Sequence, residues 1–136
     1  MPIEFPIGTK VISLGRVADP VIPLLVRTSK GYLPFDFLVD TGADCSMIPA
    51  AMAEAELGVR LSTLPQDLFF GIEGTGIRVY RGSLSVKIDR RPAHIRCVFS
   101  THPHCPLILG RMDVFRLFSL AFDNRRHIIR FTRITP

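Results

Sequence analysis

Short apolar runs separated by turn-forming residues dominate the chain from end to end. The runs are rich in Val, Ile, Leu and Phe, and Gly, Pro and Asp-Asn sequences lie between them. Runs of this length and composition are typical of β-strands, whereas amphipathic helices need a longer pattern with a period of 3.6. The pattern predicts strands at Val11–Leu14, Val21–Thr28, Leu33–Val39, Asp67–Phe70, Ile77–Val79, Gly82–Ile88 and Ala93–Phe99.

The end of the chain has the pattern of a β-hairpin. Ser119–Phe122 and His127–Thr132 are apolar runs on either side of the turn sequence Asp-Asn-Arg-Arg at 123–126. The predicted fold is therefore all-β, a small barrel or closed sheet with two short helices.

The two predicted helices interrupt the strand pattern. Pro49–Leu57 begins with proline, contains alanines and is followed by Gly58, a typical helix stop. Gly110–Leu117 follows an apolar run. Because the chain has no internal repeat and no linker, we expect a single domain at 1–136 to carry any function.

The composition is that of a globular domain. The chain has 136 residues, of which 47% are hydrophobic and 21% charged, so it can bury a core and leaves no room for a long disordered tract. It contains no apolar run of about 18 residues and no signal-peptide pattern, so we expect a soluble chain without a membrane segment. Three cysteines without CxxC spacing favour a reducing compartment, and we expect a cytoplasmic location.

A formal net charge of +5 raises nucleic acid as a possible partner. Residues 1–110 are nearly neutral, and the excess of arginine lies in 111–136. These arginines are spaced through strand and turn residues without interleaved aromatic residues, which is typical of a solvated face. We therefore expect no nucleic-acid partner.

The segment 37–44 places an acid, a hydroxyl group and a glycine directly after an apolar strand. Asp40 ends the strand, and Thr41 and Gly42 follow it. A carboxyl group at the end of a buried strand loses hydration, which is one way in which proteins prepare an acid for acid–base chemistry. An ordinary strand-to-turn junction uses the same residue types, so these residues alone leave both interpretations open.

Three motifs, in order, resemble those of the retropepsin-like aspartic proteases, the single-domain family that includes retroviral proteases and small bacterial enzymes. Val39–Asp44 is similar to the catalytic signature, and Ser46–Pro49 is similar to its continuation in bacterial members. Phe70–Ile77 resembles the glycine-rich flap, and Leu107–Arg111 resembles the second signature. The resemblance spans most of the chain, and three ordered motifs are more specific than one.

This resemblance implies a homodimeric aspartic-type endopeptidase. Its chemistry needs two carboxylates that share a proton, and the chain has one Asp-Thr-Gly, so Asp40 from each of two subunits would activate the water that attacks a peptide bond. Thr41 would bond to the opposite subunit, and Gly42 would offer its carbonyl group to a peptide or protein substrate. The resemblance implies no metal and no other cofactor.

The same resemblance implies a substrate-binding set and its supports. Arg111, after Gly110, would hold Asp44 in a charge-assisted clamp aimed at the substrate backbone; the alternative is a surface ion pair worth little. Arg16 of the other subunit would be a further member of this clamp. The implied substrate-binding residues are Ala43, Asp44, Gly71, Ile72, Glu73, Gly74, His104, Cys105, Pro106 and Ile108, with Leu38 as an additional apolar wall.

The glycine-rich segment Gly71–Gly76 would close over the substrate, because three glycines in six residues give the freedom that a hinge needs. A lone glycine-rich turn is also an ordinary hairpin. Glu73 replaces the small or apolar residue usual at the flap tip, which would suit a basic residue in the substrate.

Two other hypotheses stay open at this point. A non-catalytic retropepsin-like module would bind peptides or assemble a partner. The other is a zinc- or nucleic-acid-binding β domain. Zinc would be held by sulfur and imidazole groups that are close in sequence, although their spacing matches no usual zinc pattern. Those groups belong to Cys97, His102, His104 and Cys105.

Overall fold

A computed structural model describes residues 2–70 and 74–135. The described strands are β1 (Ile3–Pro6), β2 (Gly8–Ile12), β3 (Gly15–Asp19), β4 (Val21–Thr28), β5 (Gly31–Val39), β6 (Ser46–Pro49), β7 (Gln66–Phe70), β8 (Gly76–Lys87), β9 (Pro92–Ser100), β10 (Ile108–Leu109), β11 (Phe118–Asp123) and β12 (Ile128–Arg133). The described helices are α1 (Ala50–Ala55), a 3-10 turn at Leu61–Thr63 and α2 (Val114–Leu117).

Six strands close into a barrel. Their order is β4-β5-β10-β6-β9-β8, and β8 returns to pair with β4 through Leu25 opposite Lys87 and Val26 opposite Val86. Strand β7 pairs with β8 outside this ring. The closed ring encloses one core and leaves few free strand edges, which confirms the prediction of an all-β barrel with two short helices.

Alternating side chains on the strands fill the barrel. On β4, Ile22, Leu24 and Val26 are buried, whereas Pro23 and Leu25 between them face out, as the two-residue period of a strand requires. Each such apolar side chain contributes about 1.5–3 kcal/mol when it is fully buried. The largest fully buried side chains include Phe37, Phe99, Phe131, Ile22, Leu24, Ile48, Ile95 and Leu109.

A second, three-stranded antiparallel sheet has the order β1-β12-β11. The C-terminal hairpin predicted from the sequence is confirmed, and β1 is a strand that the sequence analysis missed. Phe131 is fully buried at the centre of this sheet and meets the rings of Phe5 and Phe118 edge-on.

The predicted strand Val11–Leu14 was wrong, because this segment contains a chain reversal. Strands β2 and β3 form a hairpin in which Ile12 pairs with Gly15 around a two-residue turn. Gly15 has a φ of 133°, which glycine adopts readily and other residues do not. The apolar residues that suggested a core strand are in fact exposed.

The predicted separate strands Ile77–Val79 and Gly82–Ile88 were also wrong, because β8 is continuous across both. Gly82 marked the apparent break in the sequence. In the structure, it is the position at which β8 passes the buried ring of Phe99, and a Cβ there would overlap that ring. The glycine therefore reflects close packing rather than a turn.

The two helices are shorter than predicted. The prediction at Pro49–Leu57 is confirmed at its centre as α1. The prediction at Gly110–Leu117 was wrong in its first half, because Asp113 has a φ of 66° and the helix begins only at Val114. No helix in the described part of the chain has the length and apolar character needed to cross a bilayer.

Candidate active site

Asp40 lies where β5 ends, held between two neighbouring segments. Its backbone N–H donates to the carbonyl oxygen of Leu109 at 3.0 Å, and the N–H of Val39 donates to that of Pro20 at 2.8 Å. The strand is thus fixed on both sides up to the acid itself, and Asp40 is partly buried.

The turn after Asp40 orients its carboxylate. The backbone N–H of Gly42 donates to Oδ1 of Asp40 at 2.9 Å, and the N–H of Ala43 donates to the carbonyl oxygen of Asp40 at 3.2 Å. A Cβ at Gly42 would lie 3.3 Å from that Oδ1, so a larger residue would crowd the carboxylate. Thr41 and Gly42 are exposed beside it.

Strand β10 brings the second motif against the first. It runs parallel to β5, with Leu109 opposite Val39, and antiparallel to β6, with Ile108 opposite Met47. Strands β6 and β10 were not predicted from the sequence, because segments of four and two residues are too short for a periodic pattern.

Gly110 is the point at which the two motifs cross. It is buried, and its N–H donates to Oγ of Ser46 at 3.0 Å. A Cβ at this position would overlap the backbone carbonyl group of Cys45 and would lie 3.0 Å from the carbonyl oxygen of Ala43. Backbone approaches this close require glycine. Ser46 belongs to a motif noted in the sequence, but its contact with Gly110 was not predicted, because the two residues are 64 positions apart and meet only in the folded chain.

Arg111 fastens the loop that follows Asp40. Its N–H donates to the carbonyl oxygen of Ala43 at 3.0 Å, its Nη1 donates to that of Thr41 at 3.4 Å, and its Nη2 forms an ion pair with Asp44. The Asp44 side chain is 88% exposed, so the ion pair by itself adds little stability. The three contacts together nevertheless hold the loop at both its start and its end.

A second carboxylate anchors the segment after Arg111. Asp113 is buried. Its carboxylate accepts three hydrogen bonds from Arg96, from the backbone N–H at 2.8 Å, from Nε at 3.0 Å and from Nη2 at 2.9 Å. It accepts a fourth from Nη2 of Arg116 at 3.2 Å. The hydrogen bonds from Arg96, with a further one from Arg116, hold the pKa of Asp113 well below its usual range. The segment after Gly110 is thereby fixed to β9.

Comparison with known families decides what this pair of crossing motifs is. A family model described as aspartyl protease matches residues 26–112, a range that includes both the Asp40 loop and the Gly110 crossing. The chain belongs to the aspartyl protease family. No curated protein matches the chain.

Solved structures share the fold of this aspartyl protease. A retropepsin-like aspartic protease from Rickettsia conorii is 19% identical with a TM-score of 0.66, over 96% of this chain and 98% of that one. The EIAV protease complexed with the inhibitor HBY-793 is 24% identical with a TM-score of 0.52, over 68% of this chain and 82% of that one. These likenesses show a retropepsin-like fold.

The other residues that the sequence assigned to substrate lie in two places. His104, Cys105 and Pro106 lie on the loop between β9 and β10, and this loop runs into Ile108, which is opposite Leu38 on the strand of Asp40. Of the predicted flap residues, Gly74 is exposed with a φ of 77°. Gly71, Ile72 and Glu73 lie outside the described residues.

The loop between β9 and β10 has its own local order. The N–H of His102 donates to Oγ of Ser100 at 3.1 Å, and the N–H of His104 donates to Nδ1 of His102 at 3.1 Å. Within 2–70 and 74–135, no group of three or more His, Cys, Asp or Glu side chains is placed to hold a metal ion.

The three cysteines of the chain are free thiols. Burial raises the pKa of Cys97 to about 12, and burial also raises the pKa of Cys45 and of Cys105. Because the thiolate is the reactive form, the raised pKa of each thiol favours its less reactive, protonated form near neutral pH.

Proposed function

We propose that this aspartyl protease is a homodimeric endopeptidase whose active site is a dyad of Asp40 side chains from two subunits. The observation that carries the proposal is the Asp40 loop, in which a strand-end carboxylate is oriented by the N–H of Gly42 and the loop is braced by Gly110 and Arg111. Aspartic protease chemistry needs two such carboxylates, and the chain carries one Asp-Thr-Gly. A second copy would supply the other.

In this dimer, the two carboxyl groups share one proton and hold a water molecule between them. The ionised carboxylate takes a proton from the water as the water oxygen attacks the peptide carbonyl carbon. The protonated carboxyl group donates a hydrogen bond to the carbonyl oxygen, which becomes negatively charged. When the C–N bond breaks, a proton passes to the leaving nitrogen, and the dyad returns to its singly protonated state.

The neighbours of Asp40 have roles in the same step. Thr41 and Gly42 are exposed directly after Asp40, so Thr41 would bond to the second subunit and Gly42 would accept a substrate N–H. Asp44, held by Arg111, would accept a further N–H of the substrate backbone. The loop at His104 would form a wall of the substrate cleft.

An apolar surface next to Thr41 supports association of two copies. A hollow of about 520 Å³ lies between Thr41, α2 and the sheet of β11. Phe115, Phe122 and Ile134 around it are 42%, 42% and 45% exposed. Exposed aromatic and aliphatic groups clustered in this way are typical of subunit interfaces.

The proposal is tested by cleavage of a denatured protein, with products mapped by mass spectrometry. Asp40→Asn keeps the shape of the side chain but removes the charge and the shared proton, so cleavage should fall by at least about a hundredfold. Asp36→Asn, at an exposed acid on the same strand, is the matched control and should retain wild-type activity. Equal cleavage by wild type and Asp40→Asn, both folded by circular dichroism, would overturn the proposed function.

A further inference from the structure

Strands β2 and β3 form a hairpin, here called the arm, that makes up a two-stranded sheet of its own. Its pairs run from Gly8 opposite Asp19 to Ile12 opposite Gly15. Every residue from Gly8 to Ala18 is exposed. At about 3.3 Å per residue, five pairs make the arm roughly 17 Å long.

The arm carries four large apolar side chains that are exposed. Leu14 at its tip is 93% exposed, and Val11, Ile12 and Val17 are 69%, 41% and 37% exposed. Within the described residues, the one side-chain hydrogen bond of the arm is internal, from Nη1 of Arg16 to Thr9. An isolated two-stranded ribbon is marginally stable in water, so this apolar end gains stability from a surface that covers it.

The base of the arm is fixed beside the candidate active site. Pro20, directly after β3, accepts the N–H of Val39, and Val21 pairs with Leu38. On the other side, Ile7 donates its N–H to His127 of the C-terminal hairpin. The arm therefore leaves the body between the strand that ends at Asp40 and the sheet that borders the apolar hollow.

This position brings a second copy within reach of the arm. The dyad requires the second Asp40 within a few ångströms of the first, whereas the arm is several times longer than that separation. The arm is positively charged, because it carries Lys10 and Arg16 and no acid before Asp19. In the proposed dimer it would meet Asp44 of the second copy, an acid whose side chain is 88% exposed although it is paired with Arg111 of its own chain.

We propose that the arm is a dimerisation element that grips the second copy of this chain, with its apolar tip packed on the body of that copy near the catalytic loop. This inference rests on the proposed homodimer. Each dimer would contain two such contacts, related by the twofold axis.

The test is the dimer dissociation constant, measured by sedimentation equilibrium and so independent of activity. Leu14→Asp places a charge where the tip packs, and it should raise the dissociation constant by at least about tenfold. Leu25→Asp is the matched control, because Leu25 is a 40% exposed leucine on the body, and it should leave the constant unchanged. A second variant replaces 11–16 by Asn-Gly, a two-residue hairpin turn that joins the paired residues Lys10 and Val17, and it should weaken the dimer at least as much.

The possible outcomes separate this inference from the proposed function. An unchanged dissociation constant in both arm variants overturns the arm inference, and Asp40-dependent cleavage then still supports the protease. An arm variant with an unchanged dissociation constant but a raised KM means that the arm binds substrate, which also overturns the inference. A weakened dimer in both variants supports it, whether or not wild type and Asp40→Asn differ in cleavage.

Discussion

At the scale of single residues, the site depends on a few backbone contacts between distant parts of the chain. Asp40 and Gly42 were predictable, because an acid followed by a glycine after an apolar strand is a recognisable motif. The hydroxyl of Ser46, which accepts the N–H of Gly110, was not, because only the folded chain brings the two together. The ion pair of Asp44 with Arg111 is present as predicted, and its action on substrate stays a prediction.

Gly110→Ala should destabilise the protein, because the added methyl group would overlap the carbonyl group of Cys45. Overpacking of this kind costs about 1–3 kcal/mol in the free energy of unfolding, and urea denaturation followed by circular dichroism measures it. Gly8→Ala is the control, since a Cβ there would meet no described atom within 4 Å. Equal stability of the two variants would mean that the motifs do not cross as closely as described.

At the scale of elements, the strands with a regular alternation were predicted correctly, whereas features that depend on a contact with a distant residue were missed. The alternation of β4 gave its bounds at Val21–Thr28, because one face of that strand lies in the core. The continuity of β8 through Gly82 and the late start of α2 after Asp113 escaped prediction. Each depends on a partner elsewhere in the chain, the ring of Phe99 in one case and Arg96 in the other.

Ion pairs between elements should make stability depend on pH. Asp89 accepts two hydrogen bonds from Arg133 of β12, at 2.7 and 2.9 Å, and chiefly these bonds lower the pKa of Asp89 to about 2. The carboxyl group of Asp89 therefore binds a proton more weakly in the folded state than in the unfolded state. The stabilisation that its ion pair with Arg133 gives the fold is complete above the unfolded pKa of about 4 and is lost as pH falls towards 2.

The matching variant is Asp89→Asn. Hydrogen bonds to charged groups contribute about 1.5–3 kcal/mol, so the variant should be less stable than wild type by that amount at neutral pH. The difference in unfolding free energy between wild type and Asp89→Asn, measured by urea titration, should shrink as the pH falls from about 4 towards 2. Asp36→Asn should match wild type at neutral pH. A gap that stays constant across this pH range would contradict the role given to Asp89.

At the scale of the whole molecule, the closed barrel explains why so much of the fold followed from sequence. Strands that alternate around a single core have a strong sequence pattern, but the ring closes through the short strands β6 and β10 as well, which that pattern did not predict. The arm could not be recognised in this way, because the apolar residues of Val11–Leu14 suggest a core strand as readily as a surface that a second chain covers. Intermolecular burial leaves the same pattern in a sequence as intramolecular burial.

The central claim is that each active site uses one Asp40 from each of two chains, and mixing subunits tests it most directly. Wild type and Asp40→Asn are combined at constant total concentration, well above the dimer dissociation constant, and are left to exchange before cleavage is measured. A mixed dimer has a single carboxylate in its site and should be inactive, so activity should follow the square of the wild-type fraction and fall to about a quarter in an equal mixture. Activity that falls in proportion to the wild-type fraction, to about half in an equal mixture, would show that one chain suffices and would contradict the shared dyad.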